Sequence, residues 1–186
     1  TLVSITNTTR NVPTSAGGPL KKFEPLWIET PLPTSPPDLI PGVMKRHGIH
    51  LIVGERDVGK SLIALEIAAS ALTGGALWGK VPVPYPITKV TYILGEHDSE
   101  SLRELWGLAA LLVPEQSLCI VGPEYRQPLV MQGRANVPAV QFYQEAAKGS
   151  GLIIFDPLSA FMAGVEAEND NSGMREVINI TGDIAR

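Results

Sequence analysis

The stretch GERDVGKS, residues 54–61, decides the fold of this chain. A glycine, four free positions and then Gly-Lys-Ser form the pattern of a loop that binds phosphate through its backbone N–H groups. Lys60 would place a positive charge at the β- and γ-phosphates of a nucleotide, and the hydroxyl of Ser61 would bind Mg²⁺. Small residues are more usual at Arg56 and Asp57, although aspartate tolerates left-handed backbone better than most residue types.

The flanking residues predict the strand and the helix that such a loop requires. Residues 50–53 are a short, mainly apolar run typical of a strand, and residues 61–74 carry apolar side chains at helical spacing before a glycine pair. The N-terminus of this helix would direct its partial positive charge at bound phosphates. The alternative is a chance match on a glycine-rich turn, and the agreement of strand, loop and helix favours phosphate binding. The predicted nucleotide-binding residues are Gly54, Glu55, Arg56, Asp57, Val58, Gly59, Lys60, Ser61 and Leu62.

The composition fits one folded domain of 186 residues. Hydrophobic residues make up 44% and charged residues 18% of the chain, which excludes a disordered protein. No apolar run reaches the roughly 20 residues of a membrane helix, and the first residues lack a signal-peptide pattern, so we expect no membrane contact. The single cysteine, Cys119, cannot form an internal disulfide, which makes a cytoplasmic location the expectation.

A proline-rich segment precedes the phosphate loop. Residues 1–41 hold half of the prolines and cannot form a regular helix, so we interpret them as an extended N-terminal arm. Residues 42–186 would then form the nucleotide-binding core, which we expect to be incomplete at its C-terminal end. Within the arm, residues 1–20 are expected to be mobile. Apolar side chains that would dock on the domain or on a neighbouring subunit follow at Phe23, Leu26, Trp27 and Ile28.

A second strong signal is GLIIFD, residues 151–156. Four consecutive apolar residues closed by an acid predict a strand that is buried on both faces of a parallel sheet and carries a carboxylate at its tip. In a phosphate-loop protein such an acid holds Mg²⁺, usually through water, so Asp156 is the predicted metal partner of Ser61. The alternative is that Asp156 and Pro157 simply begin a turn.

Carboxylates also follow another predicted strand. Residues 90–94 are rich in β-branched and aromatic side chains, and Glu96 and Asp98 come directly after them. Because ligands of α/β proteins bind at the C-terminal ends of the strands, these acids are candidate site residues. The other predicted elements are a helix that begins near residue 99, a strand at 118–121, an antiparallel addition to the sheet or a hairpin strand at 127–132, and a helix at 138–148.

The chain resembles the RecA-like ATPases, and in particular the RepA-type AAA-domain family of plasmid and phage replication helicases. The matching motifs are GERDVGKSLIALEIA, TYILGEHDSESLREL, and LIIFDPLSAFMAG followed by ENDN. The resemblance implies a three-layer α/β fold with a mostly parallel sheet. It also implies ATP and Mg²⁺ as cofactors, hydrolysis in a ring or filament of identical subunits, and movement on nucleic acid such as single-stranded DNA.

The resemblance also suggests which carboxylate activates water. In AAA+ machines that glutamate directly follows the metal-binding aspartate, but Pro157 occupies this position here. RecA-like proteins place it at the end of the strand after the phosphate-loop helix, where Glu96 lies. Glu96 would orient and partly deprotonate the water that attacks the γ-phosphate, and Asp98 is the alternative. Lys60 and Glu96 are therefore the predicted catalytic residues.

Other positions keep two interpretations each. Arg103 matches an arginine that the family often carries, or it forms an ordinary ion pair on the helix surface. Ser159 would sense the γ-phosphate or stabilise a turn. A net charge of −4 offers no basic field for nucleic acid, and the acids of a loop that would face a central pore repel a phosphate backbone. Those acids are Glu166, Glu168 and Asp170. A phosphotransferase and a non-hydrolysing, nucleotide-gated binding module remain alternatives to the ATPase.

Overall fold

The computed structural model describes residues 2–4, 37–96, 99–109, 113–114, 116–131, 134–162 and 171–185. The strands are β1 (Leu2–Ser4), β2 (Ile49–Leu51), β3 (Val90–Leu94), β4 (Leu118–Val121), β5 (Val130–Met131), β6 (Arg134–Ala135) and β7 (Leu152–Asp156). The helices are α1 (Lys60–Thr73), α2 (Ser99–Ala109), α3 (Val137–Ala147) and α4 (Asn171–Ile184). Short 3₁₀ helices lie at Pro123–Tyr125 and Leu158–Phe161. The strands predicted at residues 90–94 and 118–121 are confirmed with these bounds.

Five strands form the main sheet in the order β2-β1-β7-β3-β4. β3 pairs in parallel with both β7 and β4, so that Tyr92 lies opposite Ile154 on one side and Ile120 on the other. β1 is antiparallel to β2 and to β7, which makes β2 parallel to β7. The expected α/β fold with a mostly parallel sheet is confirmed.

Helices cover both faces of this sheet. Strand residues alternate between the faces, so Tyr92 packs on the α1 side while its neighbour Ile93 packs on the opposite side. The α1 face is filled by small and aliphatic side chains of the helix, at Ala64, Leu65, Ala68, Ala71 and Leu72. The opposite face is filled from α3 and α4 by Tyr143, Ala147, Val177, Ile180 and Ile184. The three layers expected from the sequence are therefore present.

Glycines set the two ends of α1. The helix begins at Lys60, directly after Gly59, and it ends where Gly74 adopts a φ of 71° and donates its N–H to the carbonyl of Ser70 at 2.9 Å. A left-handed residue at this position closes the last turn of a helix at little cost when it is glycine. The helix predicted between the phosphate loop and the glycine pair is confirmed.

The first described segment departs from expectation. Residues 1–20 are predicted to be mobile, yet Leu2–Ser4 pairs with strands on both sides, with Val3 opposite His50 in β2 and Ile154 in β7. An extended segment that fills a gap between two strands satisfies its backbone N–H and C=O groups on both edges. Proline content does not reveal such a pairing. Within the described part of the chain, β2 joins the sheet through β1.

Two other regions refine the predicted organisation. Leu39 and Ile40, on the arm side of residue 42, are fully buried in the core of the α1 face. Of the two alternatives for residues 127–132, the structure has no addition to the main sheet among the described residues, since β5 pairs antiparallel with β6 in a separate two-stranded sheet. The apolar docking residues of the arm lie outside the described residues, at Phe23, Leu26, Trp27 and Ile28.

Candidate functional site

The phosphate loop is an exposed turn between β2 and α1. Two of its residues take left-handed backbone, Asp57 with a φ of 60° and Gly59 with a φ of 86°. Because Gly59 has no side chain to cap α1, the first N–H groups of the helix remain available to an anion. Close packing across the loop favours glycine at position 54, since a Cβ there would lie 3.1 Å from Cγ2 of Val58.

Lys60 folds back over this loop. Its Nζ donates to the carbonyl oxygen of Gly54 at 3.0 Å and also to the carbonyl oxygen of Glu55. The ammonium group thus lies against the concave side of the turn, where the pattern predicts the β- and γ-phosphates. A phosphate oxygen would offer it a stronger, charge-assisted hydrogen bond than a neutral carbonyl does.

Asp156 and Tyr92 form the buried half of the site. Asp156 is the last residue of β7 and is only 3% exposed. The hydroxyl of Tyr92 donates to its Oδ2 at 2.7 Å. Asp156 pairs with Leu94, two residues after Tyr92, so alternation places both side chains on the α1 face of the sheet. Ser61, at the start of α1, lies near the same phenol, close enough to influence its pKa. The two predicted magnesium ligands therefore meet around one buried hydroxyl.

The environment of Tyr92 determines which group donates the proton. Burial raises the pKa of its phenol well above the usual 10, and the charge of Asp156 and the hydrogen bond to it act in the same direction. The nearby hydroxyl of Ser61 lowers the pKa and is the smallest cause. Tyr92 consequently stays protonated through the physiological pH range, so it is the donor and the carboxylate is the acceptor.

Glu96 lies at the same edge of the sheet as Asp156. The N–H of Gly95 donates to the carbonyl oxygen of Asp156 at 2.8 Å, which continues the pairing of β3 and β7 beyond the strand ends. A Cβ at Gly95 would lie 2.4 Å from the Cβ of Ala160, so only glycine fits between this strand end and the 3₁₀ helix after β7. Glu96 itself is exposed, so its carboxylate is accessible to water.

Arg126 is a neighbour of the site that the sequence pattern does not reveal. Its Nη1 donates to the carbonyl oxygen of Gly95 at 2.9 Å, directly before Glu96. β4 lies beside β3, and segments that follow the C-terminal ends of parallel strands meet at one edge of a sheet. The strand order is the signal that would have identified Arg126, and the order is a property of the folded chain.

A family model described as an AAA domain matches residues 18–186, which is most of the chain. The chain belongs to the AAA domain family. It is therefore an ATPase-type phosphate-loop domain, as the motifs predict. No curated protein and no solved structure matched the chain in the same comparisons. None of the described helices of this AAA domain is both long enough and apolar enough to cross a membrane.

The remaining candidates of the AAA domain are placed only in part. Ser159 is exposed in the 3₁₀ helix Leu158–Phe161, where its backbone carbonyl accepts a hydrogen bond from the N–H of Met162 at 3.2 Å. Arg103 lies on α2, but its side chain is outside the described part of the structure. Asp98 is also outside it, as are the acidic loop residues Glu166, Glu168 and Asp170.

The donors present in the AAA domain fit Mg²⁺. A hydroxyl at Ser61 and a carboxylate at Asp156 are both oxygen ligands, which this ion prefers, and it commonly takes only one or two protein ligands beside phosphate and water. Among the described residues there is no group of three or more His, Cys, Asp or Glu side chains that would hold a metal without a nucleotide. The fit therefore rests on Ser61 and Asp156 together with nucleotide phosphates.

Proposed function

We propose that this AAA domain binds ATP with Mg²⁺ and hydrolyses it in the manner of the RepA-type, RecA-like ATPases. The convergence of Ser61 and Asp156 on the hydroxyl of Tyr92 supports this proposal most directly. These two residues are 95 positions apart in the sequence and come from the phosphate-loop helix and from a buried strand. Their meeting beside the phosphate loop is what an ATP and Mg²⁺ site requires.

Each residue type suits one part of the reaction. The N–H groups of the loop and the ammonium of Lys60 would bind the β- and γ-phosphates. Ser61 and Asp156 would hold Mg²⁺, Asp156 through water, and the bound ion would neutralise charge on the phosphate oxygens. Glu96 would orient a water molecule towards the γ-phosphate and take up its proton. The hydrogen bond from Arg126 to Gly95 would hold the backbone before Glu96 in place.

The wider role rests on the motifs. The stretch DPLSAF of residues 156–161, with ENDN at 168–171, supports the RepA-type assignment, and with it an oligomer of identical subunits in DNA replication or mobile-element maintenance. Single-stranded DNA is the proposed polymer. With a net charge of −4 the chain has little general attraction for a phosphate backbone, so contacts would come from a few basic side chains of several subunits.

Phosphate release with and without single-stranded DNA tests this proposal. Glu96→Gln keeps the shape of the side chain but removes the base, so turnover should fall by about 100-fold or more while ATP still binds. Glu100→Gln, at an exposed position on α2, is the matched control and should turn over normally. Unchanged turnover of the Glu96 variant would remove Glu96 from the mechanism.

The same measurement separates the alternatives. Binding of ATP without phosphate release by the unaltered chain would favour a nucleotide-gated binding module. Loss of the γ-phosphate only in the presence of an acceptor molecule would favour a phosphotransferase. A large stimulation by single-stranded DNA would support the RepA-type role.

A further inference from the structure

Tyr92 is a fully buried polar side chain at the centre of the candidate site. The sequence pattern assigns it only a place in a strand, and the phosphate-loop pattern has no role for it. Its hydroxyl donates a 2.7 Å hydrogen bond to Oδ2 of Asp156, and Ser61, the other side chain that the proposed function assigns to Mg²⁺, lies near it. We propose that Tyr92 is a positioning residue of the magnesium site, which holds the Asp156 carboxylate in place beside Ser61 before the ion binds. This inference rests on the proposed binding of ATP and Mg²⁺.

The sheet register explains why a tyrosine reaches this place. Tyr92 lies opposite Ile154, and Asp156 lies one alternation further along the neighbouring strand, about 6.6 Å towards the strand end. A side chain must therefore run along the strand direction and carry its polar atom at the tip. Tyrosine has a long rigid ring with a hydroxyl at its end, whereas serine and threonine are too short and phenylalanine lacks the donor.

Burial makes this contact geometrically restrictive. Tyr92 is a fully buried member of the apolar cluster of the α1 face, which also includes Leu65, Ala68 and Leu94, so the hydroxyl has little freedom to move. A carboxylate as buried as Asp156 needs hydrogen-bond donors, because an unsatisfied buried charge is strongly unfavourable. Because Tyr92 also fixes the orientation of the Asp156 carboxylate, it lowers the free-energy cost of ordering the site when Mg²⁺ binds.

Two substitutions test the inference. Tyr92→Phe removes the hydroxyl and keeps the ring. Tyr143→Phe is the matched control, because Tyr143 is also fully buried and its hydroxyl is also hydrogen-bonded, but to the N–H and carbonyl of Gln127 on the opposite face of the sheet. Binding of a fluorescent ATP analogue is measured for each variant with MgCl₂ and with EDTA, and urea unfolding reports stability.

The expected result is specific to the metal. Mg²⁺ should increase the nucleotide affinity of the unaltered chain, and in Tyr92→Phe this increase should be about 10-fold smaller. A reduction of this size is within the range observed when a residue that orients a metal ligand is lost. The affinity of the Tyr92 variant in EDTA should equal that of the unaltered chain. Tyr143→Phe should keep the full gain, although both variants lose a buried hydroxyl. The inference would be overturned if Mg²⁺ increased the nucleotide affinity of the Tyr92 variant as much as that of the unaltered chain. It would also be overturned if the two variants lost this increase to the same extent.

A double substitution tests whether Tyr92 acts through Asp156. Asp156→Asn alone should reduce the Mg²⁺-dependent gain, and adding Tyr92→Phe to it should change the gain by less than about twofold, because residues that act as a unit are not additive. A full second loss in the double variant would contradict the positioning role.

One measurement needs no variant. In the chain labelled with ¹³C at the tyrosine Cζ, the Tyr92 signal should shift when MgCl₂ is added to the ATP-bound protein, since the ion would compete for the charge of Asp156, while the Tyr143 signal should stay in place. An unmoved Tyr92 signal would overturn the inference.

If the unaltered chain gains no ATP affinity from Mg²⁺, the proposed function itself fails, and the inference fails with it. If the unaltered chain gains affinity and Tyr92→Phe gains as much, only the inference fails.

Discussion

The phosphate loop and the Tyr92–Asp156 pair are two halves of one candidate site. They differ in exposure and in how far apart in the sequence their contacting residues lie. The loop is exposed, and its contacts join residues at most six positions apart, such as Lys60 and Gly54. Tyr92 and Asp156 are buried, and their hydrogen bond spans 64 positions. The loop therefore depends on local backbone preferences, while the pair depends on the register of the sheet. Substitutions in the loop should change binding without changing stability, and substitutions around the pair should change both.

Lys60→Ala should have the largest effect on the loop half. Loss of a charged donor to the phosphates should weaken ATP binding by about 100-fold, which corresponds to about 2.7 kcal/mol. The free energy of unfolding should change by less than about 0.5 kcal/mol, because the side chain makes only exposed contacts with the carbonyls of Gly54 and Glu55. Isothermal calorimetry and urea unfolding measure the two quantities.

Lys148→Ala is the control for that change. Lys148 is an exposed lysine at the end of α3, where its Nζ lies 3.5 Å from Glu145, so its removal should leave ATP affinity unchanged. If ATP bound to the Lys60 variant as tightly as to the unaltered chain, the loop would have no part in phosphate binding.

Gly95→Ala should lower both the stability of the chain and its turnover of ATP. The new Cβ would lie 2.4 Å from that of Ala160 and 3.2 Å from Cε2 of Phe161, so the strand end must move. Overpacking of this kind costs about 2 kcal/mol of unfolding free energy. Phosphate release should also fall, since Glu96 is the next residue. Urea unfolding and steady-state turnover provide the two readouts.

Gly107→Ala is the matched control for Gly95. A Cβ at Gly107 meets no atom of the described residues within 4 Å, and the residue lies inside α2, so the change should stabilise the chain by about 0.5–1 kcal/mol. Equal stability of the two alanine variants would show that the strand end has more room than the distances to Ala160 and Phe161 indicate.

Val3→Pro should show that the local loop still depends on a distant segment. Val3 is the middle residue of β1, the strand that joins β2 to the sheet within the described residues. Proline removes its N–H, and the loss of one backbone hydrogen bond costs about 0.5–1.5 kcal/mol. Hydrogen exchange of the Ile49–Leu51 amides should become faster, whereas Val3→Ile, which keeps the N–H, should leave it unchanged. Unchanged exchange in the proline variant would mean that β2 is held by other contacts.

Arg56→Ala should have the smallest effect. The Nε of Arg56 lies 3.8 Å from Oδ2 of Asp57, and both side chains are 91% exposed. Such surface pairs contribute less than about 0.5 kcal/mol to stability. Because the loop is expected to bind phosphate through backbone groups, ATP affinity should also remain unchanged in a titration. A marked loss of affinity would instead assign the guanidinium group a direct contact with the nucleotide.

The amino-acid sequence by itself determined the local features of this protein. The glycines and Lys60 of residues 54–61 specify the loop, since left-handed backbone and an uncapped helix start depend on residue type. Helical spacing followed by Gly74 set the extent of α1. Runs of apolar residues identified β3, β4 and β7, with Asp156 at the tip of β7. Each of these follows from preferences that act over a few residues.

The tertiary structure decided what these elements bring together. Three features join distant parts of the chain. Leu2–Ser4 inserts into the sheet, and Arg126 contacts Gly95. Ser61, Tyr92 and Asp156 meet at the candidate site. Strand order and register select these partners, and both are set by which apolar faces can be buried together. The sequence pattern assigns Tyr92 only a place in a strand. Only the neighbouring strand shows that its hydroxyl lies beside a carboxylate.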